Sequence, residues 1–133
     1  MPDYVLDSYA LLAYFNSEAG GEEVKQLLGT ALDGEFALYL SLINLGEIYY
    51  IIRRRRGKEK AHETLETLRS LPVTLCDTSE ARVLAAAELK AEYPISYADA
   101  FAATLAQELG ATLVTGDPEF KKLEPVLTIS WLP

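Results

Sequence analysis

The chain alternates short apolar runs with longer segments whose apolar residues recur every three or four positions. DYVLD is a short apolar run ending in a polar pair and predicts a first strand. SYALLAYF then predicts a helix, with a break near Ser17 to Gly21. In GEEVKQLLGTALD, Val24, Leu27, Leu28, Ala31 and Leu32 fall at helical spacing. Glu22 and Glu23 suit the N-terminus of that helix. FALYLSL predicts the second strand. INLGEIYYIIRRRR predicts a helix that is apolar until its basic end, where cations complement the C-terminal dipole. Gly57 marks a break, and EKAHETLETLRSL predicts the next helix. PVTLCD predicts the third strand. SEARVLAAAELKAEY predicts an Ala-rich helix ended by Pro94. ISYADAFAATLAQELG opens with Ser96 and closes with Gly110, the expected start and stop chemistry. ATLVTGD predicts a fourth strand, DPEFKKL a short helix and VLTISWL a last strand.

Strands that alternate with helices imply a parallel sheet covered on both faces. The expected architecture is therefore α/β, one domain over residues 1–133, with about five strands. In such sheets ligands bind beyond the carboxyl ends of the strands, where strand order reverses. Asp7 and Asp117 each end a predicted strand, so both are expected on that rim.

Composition narrows the function classes. Half of the 133 residues are hydrophobic, enough for a real core. No stretch is long and apolar enough to span a bilayer. The first residues carry acids where a secretory signal carries basic ones, so a cytoplasmic location is expected. The single Cys76 excludes an internal disulfide and leaves too little sulfur for a zinc site. The 12 basic and 20 acidic residues give a net charge of −8, which argues against nucleic-acid binding by charge alone. The basic residues are unevenly placed, however. Arg53, Arg54, Arg55, Arg56, Lys58 and Lys60 make up half of them. That strip reads as a solvated helix end, or as an edge that holds the phosphates of a polyanion.

Four carboxylates stand out: Asp7, Glu47, Asp99 and Asp117. Three of them have structural explanations. Asp7 fits as the N-cap of the helix that starts at Ser8. Asp117 before Pro118 is an N-cap signal. Ser96-x-x-Asp99 resembles a capping box. Glu47 has no such explanation. Its helical neighbours are Ile43, Asn44, Ile48 and Ile51, and no basic residue lies one turn away. Its partner must come from elsewhere in the fold, as a cation or a donor group; a face exposed to solvent or to another subunit is the alternative. Ser8, Asn44, Ser96 and Thr115 lie beside the acids or one turn from them, suited to orient a carboxylate or to cap a turn. Like charges held close raise one another's pKa, and a hard divalent cation with oxygen ligands relieves them. Such a set suits Mg²⁺ or Mn²⁺ over zinc or copper. His62 reads as a surface helix residue without a partner. Tyr49, Tyr50 and Tyr97 suit packing, or stacking on bases, and Trp131 is expected to pack.

In their order and spacing, VLDSYALLAYF, NLGEIYY, SYADAFAA and VTGDPEF resemble a PIN domain, and more narrowly a VapC-type toxin ribonuclease. The resemblance covers essentially the whole chain. It implies a parallel sheet flanked by helices and an acidic pocket for Mg²⁺ or Mn²⁺, with Asp7, Glu47, Asp99 and Asp117 as the metal-binding and catalytic acids. Ser8, Asn44 and Thr115 match the family's supporting polar positions. It further implies an endoribonuclease that cuts single-stranded RNA, dimerises, and is silenced by a small antitoxin whose tail enters the acidic pocket. Two other readings stay open: a PIN-like scaffold that binds RNA or protein without cutting, and an RNA-processing nuclease without an antitoxin. A haloacid-dehalogenase-like phosphatase is disfavoured because Tyr9 stands where its second aspartate is needed. A response-regulator receiver is disfavoured because the last strand lacks a lysine.

Overall fold

The computed structural model describes residues 2–133. Five strands form one sheet: β1 (Tyr4–Leu6), β2 (Leu38–Ser41), β3 (Thr74–Cys76), β4 (Thr112–Thr115) and β5 (Ile129–Trp131). Their order is β3-β2-β1-β4-β5 and every pairing is parallel. Six α-helices connect them: α1 (Ser8–Phe15), α2 (Gly21–Leu32), α3 (Leu42–Arg56), α4 (Lys58–Ser70), α5 (Glu80–Glu92) and α6 (Tyr97–Leu109). A 3-10 helix spans Pro118–Leu123. The expected elements are all present, with strands trimmed to their central residues.

The period-2 alternation of the strands divides the core between the two faces. Leu6, Leu38, Leu40 and Val114 point to one side and pack with Leu11, Val24, Ile48 and Leu68 from α1 to α4. Val5 and Leu113 point to the other and pack with Ala86, Leu89, Phe101 and Leu105 from α5 and α6, and with Phe120 of the 3-10 helix. Both faces are covered, which is why the strands read as nearly continuous apolar runs.

Helix ends follow the sequence signals. Ser41 caps α3 through Ile43 N–H, and Ser96 caps α6 through Asp99 N–H. Gly110 ends α6 in the left-handed conformation (φ 60°), where glycine pays no Cβ penalty. Trp131 departs from its expected packing. It is 37% exposed on edge strand β5 and donates its indole N–H to Glu124. Among the described residues, no helix is long and apolar enough to cross a membrane.

The chain runs outward from β1 to β2 and β3, then crosses back to β4 and β5. The reversal point is therefore the seam between β1 and β4, where Leu6 pairs with Val114. Asp7 leaves the carboxyl end of β1, and Thr115 closes β4.

Candidate active site

Four elements deliver the acids to this seam. β1 ends in Asp7, which is only 2% exposed. β4 ends in Thr115 and leads to Asp117. α3 carries Glu47 in its second turn, and α6 carries Asp99 in its first. Glu47, Asp99 and Asp117 are half-buried.

Asp7 does act as an N-cap: its Oδ1 accepts from Ala10 N–H at 2.8 Å. Its other oxygen accepts from the Thr115 hydroxyl at 2.5 Å, across the β1–β4 seam. Thr115 in turn accepts from Asp117 N–H at 3.0 Å. One hydroxyl thus fixes the first and last acids relative to each other. Asp117 caps the 3-10 helix by accepting from Glu119 N–H at 2.9 Å. Capping leaves room for a chemical role in both aspartates, because a cap engages only part of a carboxylate's acceptor capacity.

The partner that Glu47 lacked in its own helix is Ser8, whose hydroxyl donates to Glu47 Oε1. Ser8 is itself held by Asn44, whose Nδ2 donates to Ser8 Oγ at 3.2 Å and to the Ala98 carbonyl at 3.3 Å. Asn44 is fully buried and joins α1, α3 and the start of α6, one residue before Asp99. Its Oδ1 is the one buried side-chain polar atom among the described residues without a hydrogen-bond partner. Ser96 touches the site only through the cap of α6.

The electrostatics follow from this crowding. Burial pushes the Asp7 carboxyl from its ordinary 3.8 up to about 7; the bonds from Thr115 and Ala10 oppose the rise, and Asp99 and Asp117 add to it. Burial also pushes Asp99 up to about 6, opposed by Ser96 and reinforced by Asp117, Glu47 and Glu119. Among the described residues, the ion pairs lie elsewhere: Lys60–Glu63, Arg82–Asp77, Arg82–Glu108 and Lys122–Glu119. None of the four acids has a basic partner among these residues. Oxygen donors without internal neutralisation match a hard divalent cation. As the side chains stand, however, no three acidic, His or Cys groups among the described residues close on one point. The fit is therefore one of donor chemistry and charge.

Arg53 to Arg56 are exposed at the end of α3. Successive residues on a helix point in different directions, so the four do not form one surface. Arg54 lies over the Tyr50 ring at 5.1 Å, and Arg55 faces a cleft beside α1. His62 has a partner that the sequence did not reveal: its ring meets Tyr49 edge-on, with the hydroxyl 3.3 Å from Nε2.

Comparison with solved structures shows the same fold. VapBC2 from Rickettsia felis, bound to a promoter DNA fragment, matches with a TM-score of 0.76 at 24% identity, over 98% of both chains. VapC20 from Mycobacterium tuberculosis, a sarcin-ricin loop cleaving toxin, matches with a TM-score of 0.73 at 20% identity, over 91% of this chain and 95% of its own. DNA-bound VapBC from Salmonella typhimurium matches with a TM-score of 0.72 at 20% identity, over 98% of both chains. No curated protein sequence matches the chain significantly. The PIN domain family model matches residues 4–124, nearly the full length and all four acid-bearing segments, and the chain belongs to the PIN domain family.

Proposed function

We propose that the chain is a divalent-cation-dependent endoribonuclease that hydrolyses RNA phosphodiester bonds, the VapC-type toxin of a toxin–antitoxin pair. The observation that carries the reading is the junction at the β1–β4 seam. Asp7 and Asp99 are held there with raised pKa values, beside Asp117 and Glu47, with no basic side chain to neutralise them. A purely structural cluster of this kind carries a cost with no return, since like charges without compensation destabilise the fold.

Asp7, Asp99 and Asp117 are the residues we assign to hold Mg²⁺ or Mn²⁺, with Glu47 either joining them or accepting the proton of the attacking water. When bound, the cation supplies charge to draw in the phosphate and acidity to activate water. Ser8 orients Glu47 by donating to one carboxylate oxygen, which leaves the other free to accept a proton. Asn44 fixes Ser8, and its own side-chain oxygen is buried without a partner. Thr115 keeps Asp7 and Asp117 in register. Arg53 to Arg56 supply the positive charge that an acidic nuclease needs to hold an RNA backbone.

The toxin assignment draws on the structural neighbours, several of which are toxin–antitoxin complexes. Its partners would be a small antitoxin and a second copy of this chain, and its substrate would be cytoplasmic RNA. A cleavage assay on end-labelled RNAs, including transfer RNA, tests the activity in Mg²⁺, Mn²⁺ and EDTA. The expected result is cutting that needs both the metal and Asp7. Intact RNA with metal-loaded protein freed of any partner would favour a binding scaffold instead.

A further inference from the structure

A cleft of about 430 Å³ opens beside the acidic seam, lined by Tyr9, Leu12, Ala13, Glu18, Ala19 and Arg55. The seam itself uses none of these residues. Tyr9 is the link between the two. It follows Ser8 directly, and its ring lies against Gly116, the residue between Thr115 and Asp117. A Cβ at position 116 would overlap that ring and push it aside, so the ring lies where only glycine leaves it undisturbed. Tyr9 is nevertheless 39% exposed and presents an aromatic surface to solvent.

Arg55 lines the same cleft. It has no ion-pair partner among the described residues, whereas Lys60 nearby is paired with Glu63 and Arg54 is engaged by Tyr50. Leu12, Ala13 and Ala19 give the cleft apolar walls. Glu18 adds an acceptor that repels phosphate and suits the amino group of a base. An aromatic platform, an apolar wall and a free guanidinium, in a space within the range of small-ligand sites, match the parts of one nucleotide.

We propose that this cleft binds the nucleotide next to the scissile phosphate, with its base stacked on Tyr9 and its outer phosphate held by Arg55. The inference rests on the nuclease reading for the identity of the scissile phosphate, but not for nucleotide binding itself. It divides the basic strip: Arg55 touches the substrate within the cleft, and the other arginines act only through the general field. Stacking tolerates any base, so the subsite supplies affinity and register.

The test compares the full-length protein with Tyr9→Ala, Tyr9→Phe and Arg55→Gln. One readout is kcat and KM for RNA cleavage with Mn²⁺. The other is anisotropy of a labelled single-stranded oligoribonucleotide in chelator, where turnover is off. Tyr9→Ala is expected to raise KM and weaken binding by about 5- to 100-fold, the loss of one stacked base. Tyr9→Phe should stay within about twofold, because the ring is kept. Arg55→Gln should weaken binding several-fold and reduce the log–log salt slope by about 0.7. Binding and KM within twofold of wild type in both Tyr9→Ala and Arg55→Gln would overturn the subsite. So would a fall in kcat alone for Tyr9→Ala, which would mean that the ring acts through Gly116 on the acids. So would unchanged RNA binding with loss of a co-expressed protein partner, which would make the cleft a protein-docking site. Absence of metal-dependent cleavage in the wild type, with Tyr9-dependent binding intact, would defeat the nuclease reading and leave the subsite standing.

Discussion

Two groups of carboxylates in this chain are handled in opposite ways. At the junction of α5 and α6, Arg82 forks onto Glu108 with two bonds of 3.0 Å and reaches Asp77 at 2.9 Å. Glu108 is held below the usual carboxylate range as a result. At the β1–β4 seam, Asp7, Glu47, Asp99 and Asp117 receive only hydroxyl and amide donors, and Asp7 and Asp99 rise toward neutrality. The same chain that pairs two exposed acids with an arginine leaves its most buried acid without one. A fold selected for stability alone would do the reverse, since an uncompensated buried charge costs more than an exposed one. On the proposed reading, the unpaired group marks the place where a cation from outside would complete the structure.

The sharpest way to break this contrast is to neutralise the central acid. Asp7→Asn is expected to cut RNA cleavage by at least about 100-fold, while the folded structure is kept. In chelator at pH 8 the same variant should melt several degrees higher than wild type, because the burial penalty of the charge is gone. A lower melting temperature with activity retained would assign Asp7 to capping alone.

The second test is pH. The folded pKa of Asp7, about 7, lies above the ordinary 3.8, so between these values the folded chain holds a proton that the unfolded chain has lost. Stability in chelator should therefore fall as pH rises from about 4 to about 7, by up to about 1.4 kcal/mol per pH unit from this group, and then level off. Asp99 should add a smaller slope up to about 6, reduced because water reaches it. Urea melts across pH 4–8 would measure this, and the slope should shrink in Asp7→Asn. A divalent cation binds the ionised form, so its stabilisation should be largest above pH 7 and should vanish near pH 4.

Ser8→Ala should be milder. It leaves every acid in place and removes the donor that orients Glu47, so kcat should fall by about tenfold, as for groups that support a ligand. Arg82→Ala should have the smallest effect. It should cost about 1 kcal/mol in a chemical melt, as for a partly exposed ion pair, and leave cleavage unchanged.

The sequence carried most of the architecture, because binary pattern and cap chemistry are local. Ser96 and Gly110 bracket α6 where their chemistry predicts. Strand order is a tertiary property, and it decides the site. Asp7 and Thr115 are 108 positions apart and meet only because β1 lies beside β4. Glu47 was suspicious in the sequence as a lone acid in an apolar helix. That its donor is Ser8, 39 positions away on α1, follows only from the packing of α1 on α3. The basic strip shows the same limit of a linear reading. Contiguous in sequence, its arginines fan out around the end of α3, and Arg55 alone lines the cleft beside Tyr9. In the sequence Tyr9 stands out only as the residue that interrupts a phosphatase motif; its contact with Gly116 is a three-dimensional fact.

The most direct test of the seam as a cation site is calorimetric titration of Mn²⁺ into the protein at pH 6.5 in two buffers of different ionisation enthalpy. Asp7 is mostly protonated there and Asp99 only in part, and a bound cation must expel these protons, so the expected result is binding with a buffer-dependent heat that comes chiefly from Asp7 and is lost in Asp7→Asn. Absence of binding, or binding undiminished in Asp7→Asn, would contradict the assignment.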